Sequence, residues 1–143
     1  MPKPQSFANH VKFDPPFHFF VLPVFLINII AAIVLLVRAP GLGSAWWVVL
    51  SFAFMVFAGR TRSFVTHLQD RIIRAEERLR LSALLRDPLQ SRIGELTDSQ
   101  LIGLRFASDA EVAALVKRAL DEKLNSKDIK KSVATWRPDY SRI

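Results

Sequence analysis

The chain has 143 residues, half of them hydrophobic, a formal net charge of +7 and no cysteine. That length holds one compact unit, or a membrane anchor with a small domain, and the lack of cysteine excludes disulfides and thiolate metal sites. Residues 60–86 alone carry +4, seven arginines against Asp70, Glu76 and Glu77, so the surplus charge adjoins an apolar segment instead of a soluble surface with stacking aromatics, and no nucleic-acid partner is expected.

Residues 1–16 read as a polar N-terminal segment on the cytoplasmic side. At its end, Asp14 followed by Pro15 and Pro16 is a helix-start signal. From Phe17 to Val37, "FHFFVLPVFLINIIAAIVLLV" carries no charge and at helical rise spans about 31 Å, the thickness of a bilayer core. Pro23 should bend it. "RAPG" (Arg38 to Gly41) is a turn. From Leu42 to Gly59 a second uncharged run spans roughly 27 Å, short but sufficient.

Residues 17–59 therefore read as a transmembrane helical hairpin, with spans of about 17–37 and 42–59. Buried helices of a soluble domain would keep a polar face. A cleaved signal peptide fits poorly, because the run is long, Arg38 flanks it on the wrong side and no small-residue cleavage site is persuasive. Arginine and lysine bias puts both termini in the cytoplasm and the turn outside, with Trp46 and Trp47 in the outer interfacial belt. Asn28 and Ser51 fall at similar depth, and a helix–helix hydrogen bond between them is expected to contribute about 0.6–2 kcal/mol. An Asn in mid-membrane can also mark a transport path, but two spans without an acidic residue suit a transporter badly.

No proline interrupts Leu42 to Arg86, so the second span should continue as one helix into an Arg-rich juxtamembrane segment, residues 60–86. Arg60 and Arg62 stand at the membrane exit and are expected to reach lipid phosphates. Asp70–Arg74 and Glu76–Arg80 are spaced as i,i+4 pairs. Val65, Leu68, Ile72, Ala75 and Leu79 repeat at alternating three and four residues, a stripe for packing or for a partner. Two occupants are open: the chain's own residues 88–136, or a second helix in a homo- or hetero-oligomer.

Asp87-Pro88 ends that helix, and residues 87–143 form a C-terminal helical region on the cytoplasmic side. "DPLQ", "TDSQ" and "SDAE" each fit a capping box, and Ser126 is a further N-cap. Leu101, Ile102, Leu104 and Phe106 lie in one short helix, Val112, Leu115, Val116, Leu120 and Leu124 stripe the next, and Ile129, Val133 and Trp136 complete a third. The fold class is all-α: a two-helix transmembrane hairpin, a long second helix running on into the cytoplasm, and a small C-terminal bundle of short helices. Trp136, Arg137, Asp139 and Tyr140 crowd the C-terminal "WRPDY"; Trp136 suits a core anchor, and the segment also suits a docking tail.

His10, His18 and His67 raise the question of haem, but His67 lies about 12 Å beyond the second span at helical rise, outside the bilayer core. No HExxH, glycine-rich phosphate loop, nucleophile elbow or paired carboxylates appear, so catalytic residues, metal ligands and cofactors are expected to be none. The hairpin, the arginine-rich helix, "LTDSQLIGLRFASDAEVAALVKRAL" (Leu96 to Leu120), "KDIKK" (Lys127 to Lys131) and "WRPDY" together resemble a family of small two-span bacterial membrane proteins known as a domain of unknown function. The resemblance implies a bacterial inner-membrane protein and carries over no activity. The expectation is a non-enzymatic, membrane-anchored protein-interaction or accessory subunit that pairs with a protein partner or itself. The alternative is an anionic-lipid-binding, membrane-organising module; a haem-bearing or enzymatic subunit stands third.

Overall fold

A computed structural model describes residues 5–9 and 14–139. The chain forms two compact units: residues 14–66, and residues 67–139 together with 5–9. It is all-helical, with no strand among the described residues.

The first unit begins with a π-helical turn, Pro16–Val21, that leads into α1 (Leu22–Arg38). Asp14 starts it as its sequence suggests: its carboxylate accepts from the Phe17 N–H at 3.4 Å and its carbonyl from the His18 N–H at 3.0 Å. The wide turn has a local cause. Pro23 has no N–H, and in a regular α-helix its ring would press on the carbonyl one turn back; the i→i−5 bond from the Leu22 N–H to the Phe17 carbonyl opens the coil just before it. Pro23 thus sits at the start of a regular helix, not inside one.

Residues 39–41 make the turn into α2 (Leu42–Leu84). The Ser44 hydroxyl lies 2.8 Å from the Ala39 carbonyl and 2.9 Å from that of Gly41, tying the turn to the first helical residues. Ile29, Ala32, Ser44 and Ser51 are buried; three of these are small, which lets two helix backbones approach closely. Phe25 and Phe54 stack at 6.2 Å between ring centroids.

In the second unit, α2 from His67 onward is covered by α3 (Asp98–Leu104), α4 (Val112–Asp121) and α5 (Ser126–Ser132). Leu81 and Leu85 join Leu101, Leu104, Val116 and Ile129 in one apolar core. Gly103 lets α3 and α5 approach closely: a Cβ there would lie 3.2 Å from the Ser126 carbonyl oxygen and 3.3 Å from Ile129 Cβ, tighter than an ordinary contact.

The three capping boxes had different outcomes. "TDSQ" forms in full: Thr97 Oγ1 accepts from the Gln100 N–H at 3.2 Å, and Gln100 Oε1 accepts from the Thr97 N–H at 2.9 Å. The buried Gln100 amide also donates to the carbonyls of Ala119 at 2.8 Å and Leu124 at 3.1 Å. One side chain therefore closes the start of α3 and the end of α4, where Lys123 takes the left-handed conformation (φ 51) and the Leu124 N–H reaches back to the Ala119 carbonyl at 3.2 Å.

"DPLQ" starts no helix. Residues 88–92 are turns, followed by a 3-10 turn, Ile93–Glu95. In "SDAE" half of the box forms: Glu111 Oε1 accepts from the Ser108 N–H at 3.1 Å, but the Ser108 hydroxyl donates to the same carboxylate at 3.1 Å instead of accepting from a backbone N–H, and the helix begins later, at Val112. The N-cap of α5 is Asn125, not Ser126: its Oδ1 accepts from the N–H groups of Lys127 and Asp128 at 2.9 and 3.0 Å. That helix stops at Ser132, so Trp136 is not on it.

Gln100→Ala strips partners from the Thr97 N–H and from the carbonyls of Ala119, which is buried, and Leu124, and is expected to cost about 1–3 kcal/mol. Denaturant unfolding of the detergent-solubilised protein, followed by Trp136 fluorescence in a Trp46→Phe, Trp47→Phe background, measures it.

Candidate functional site

In the hairpin the structure brings Asn28 and Ser51 together, with Nδ2 donating to Oγ at 2.8 Å. Ser51 in turn donates to the Trp47 carbonyl, four residues back, at 2.7 Å. Asn28 and Ser51 thus each donate to an acceptor on the protein, which is the condition for leaving such a pair in an apolar surround.

Arg60 and Arg62, grouped by their position, separate in the structure. Arg62 Nη1 lies 2.6 Å from Asp14 Oδ2 with both side chains largely covered, and its guanidinium sits over the Phe17 ring at 5.0 Å. Arg60 is exposed, over the Phe64 ring at 5.1 Å. The ion pair is missed by any local reading because 48 residues separate its members; the hairpin returns the chain to its starting level.

Arg74 and Arg80, in the second unit, also reach acids far away in sequence. Arg74 pairs with Asp98, not with Asp70, and Arg78 approaches the same carboxylate at 3.7 Å. Arg80 pairs with Glu77 at 2.9 Å and Asp109 at 2.6 Å, and donates to the Ala107 carbonyl at 2.7 Å, where Glu76 was expected. The i,i+4 spacing would put these pairs in solvent. Burial instead turns Glu77 and Arg80 inward, where the guanidinium, donating from Nε and Nη2 to Asp109 Oδ1, joins α2 to the loop before α4. Burial strips water from the Glu77 carboxyl and raises its pKa, with Arg80 acting against the rise. A raised carboxyl stabilises the fold fully only below its ordinary value of 4.5 and loses that contribution as pH rises through the native value.

The C-terminal segment is folded onto this bundle. Trp136 is half-buried with its ring 4.8 Å from that of Phe106, and the Arg137 N–H donates to the Phe106 carbonyl at 2.8 Å. Asp139 Oδ2 is 3.6 Å from Nε of the buried Arg105, and the Asp139 N–H donates to Gln5 Oε1 at 2.8 Å. Arg105 and Lys130 lie over the Phe106 ring at 4.4 and 5.4 Å. Trp136 and Asp139 are thus in use within the chain, Arg137 is exposed, and Tyr140 lies outside the described residues. Glu111 organises the turn into this segment: its carboxylate accepts from the N–H groups of Ser108, Ala134 and Thr135 at 3.1, 2.9 and 3.1 Å.

The stripe proves to be the exposed feature. Residues 88–136 do cover α2, but on the face of Ile73, Glu77, Leu81 and Leu85. Leu68, Ile72 and Leu79 remain 58%, 50% and 72% exposed, and Val65 and Ala75 share that exposure. The exposed stripe repeats at three and four residues, whereas the buried row steps by four and includes Glu77. The bundle took the side whose polar members, Glu77 and Arg80, could be answered by Asp109 and the Ala107 carbonyl.

Among the described residues no group of three or more His, Asp and Glu side chains could hold a metal ion. His18 Nδ1 is engaged with the Asp14 carbonyl at 2.8 Å, and His10 lies outside the described residues. The chain belongs to a family of unknown function (DUF6526), which it matches over residues 1–143. That agrees with its resemblance, through Leu96 to Leu120 and "WRPDY", to an uncharacterised family. No curated protein and no solved structure matches it.

Glu111 yields a pH prediction. Partial burial raises its pKa, but the N–H groups of Ala134, Ser108 and Thr135 and the Ser108 hydroxyl outweigh that and hold the carboxyl below its ordinary 4.5. A depressed carboxyl contributes stability above its unfolded value and loses it as pH falls through the native one. Hydrogen exchange at the Ala134 and Thr135 amides should therefore be protected at neutral pH, speed up as pH drops below 4.5 relative to intrinsic rates, and lose this dependence in Glu111→Gln.

Proposed function

We propose that this member of a family of unknown function is a non-enzymatic integral membrane protein whose bundle serves as a protein-interaction module at the membrane surface. The observation that carries it is the surface of the hairpin. Two helices are long and apolar enough to cross a membrane, and only 11% of each apolar window is buried. A core helix of a soluble protein would be mostly buried. Phe19, Phe20, Ile27, Val37, Val56 and Phe57 instead point outward, and uncovered side chains of this size favour hydrocarbon over water by about 1.5–3 kcal/mol each.

The compartment proposed is a bacterial inner membrane, with residues 39–41 outside and both termini in the cytoplasm. The bias of arginine toward residues 60–86 supports that orientation. An accessory role by protein contact is favoured over anionic-lipid recognition because three arginines of residues 60–86 are already held by acids of the chain, Arg62 by Asp14, Arg74 by Asp98 and Arg80 by Glu77 and Asp109, which leaves a thinner basic surface than the sequence suggests. Arg60, exposed beside Phe64, suits a headgroup contact that sets depth.

The absence of native cysteine makes the topology directly measurable. Gly41→Cys should react with a membrane-impermeant maleimide in intact cells, and Lys117→Cys only after permeabilisation, in a protein that resists alkaline carbonate extraction. Release by carbonate, or the reverse labelling, would refute the proposal.

A further inference from the structure

We infer that the exposed stripe of α2 is the seam of a parallel, in-register dimer of this chain, resting on the membrane insertion proposed above. From His67 onward α2 has two apolar rows, and its own bundle covers one. In heptad terms Ile72 and Leu79 take position a and Leu68 and Ala75 position d, the repeat extending back to Val65. Position b holds Ile73, c holds Arg74 and Leu81, and f holds Glu77, all buried or half-buried, with Arg74 bound to Asp98. The bundle therefore occupies the side of the helix opposite the seam and leaves the a/d face open to a second helix.

Charge specifies which helix. Arg71 falls at g and Glu76 at e; both are exposed, and neither forms an ion pair among the described residues. In a parallel, in-register pair, position g of one helix lies against position e five residues on in the other. Arg71 then faces Glu76 of the partner subunit, and two-fold symmetry makes the contact twice. An antiparallel pair would set Arg71 against Arg78 of the partner subunit. Two copies inserted in one membrane also run in the same direction. Two heptads are short for a coiled coil in solution, but anchoring removes that objection: spans confined to one bilayer raise the effective concentration of their juxtamembrane helices.

The test uses the full-length protein in its native membrane. In single-cysteine variants, Leu68→Cys, Ile72→Cys and Leu79→Cys should form disulfide-linked dimers on mild oxidation, since seam positions bring Cα atoms within the roughly 4.4–6.8 Å a disulfide needs. Asp70→Cys and His67→Cys, on the far side, should not. Arg71→Glu and Glu76→Arg each turn both contacts repulsive and should lower dimer yield at Ile72→Cys by about tenfold. Co-expressing the two charge variants makes both contacts of the mixed pair attractive again and should restore the yield.

A protein that stays in the membrane yet shows equal cross-linking at all five positions, or none, overturns the self-pairing alone and leaves the stripe to a different protein or to lipid. A mixed pair no better than either charge variant overturns the register. Release of the protein by carbonate overturns the membrane reading and this inference together.

Discussion

Two helices packed side by side can cover only the strips of surface that face each other, and no choice of side chain changes that. In the first unit those strips are filled by Ile29, Ala32, Ser44 and Ser51, and most of the remaining surface of α1 and the start of α2 is left outward. The outward residues are largely phenylalanine, leucine, isoleucine and valine. The hydrophobic effect is proportional to apolar area, so this surface needs an apolar surround, and the polar groups of the hairpin are arranged for one. Asn28 donates to Ser51, Ser51 to the Trp47 carbonyl, and Arg62 is paired with Asp14 where the apolar run ends.

The same limit on coverage governs the second unit. Three short helices bring enough apolar surface to bury one face of α2, and the core closes around Leu81, Leu85 and Phe106. The helices are held less by length than by side chains that serve two elements at once. Gln100 ends α4 while starting α3; Arg80 joins α2 to the loop at Ala107 and Asp109; Glu111 receives the chain after α5. Buried groups of this kind stabilise only when all their partners are present, so they specify one arrangement of the short helices. What is left over is the far face of α2, apolar and flanked by Arg71 and Glu76.

Legibility in the sequence followed the range of the interaction. The apolar runs, the turn at residues 39–41, the unbroken α2 and the Thr97–Gln100 box are all set within a few residues, and each could be read from spacing alone. The meeting of Asn28 and Ser51 was legible because two spans joined by a short turn must match in depth. The ion pairs were not. Local spacing matched Arg74 with Asp70 and Arg80 with Glu76, whereas the folded chain offers Asp98, Glu77 and Asp109 instead. The early end of α5 was missed because Glu111, far away in sequence, competes for the Ala134 and Thr135 N–H groups; the Asn125 cap is local, and spacing placed it one residue late, at Ser126.

Hydrophobic periodicity by itself determined the class: all-helical, with one apolar hairpin, one long helix and a set of short ones. It also determined that α2 beyond residue 60 is amphipathic. It favoured the face that stays exposed, because Val65, Leu68, Ile72, Ala75 and Leu79 make a longer apolar stripe than Ile73, Leu81 and Leu85, whose row Glu77 interrupts. Tertiary structure decided for the other row, and the reason is electrostatic as much as apolar. The second row carries Glu77 and Arg80, polar groups that can be buried only where Asp109 and the Ala107 carbonyl answer them, and no local spacing records where those partners will be.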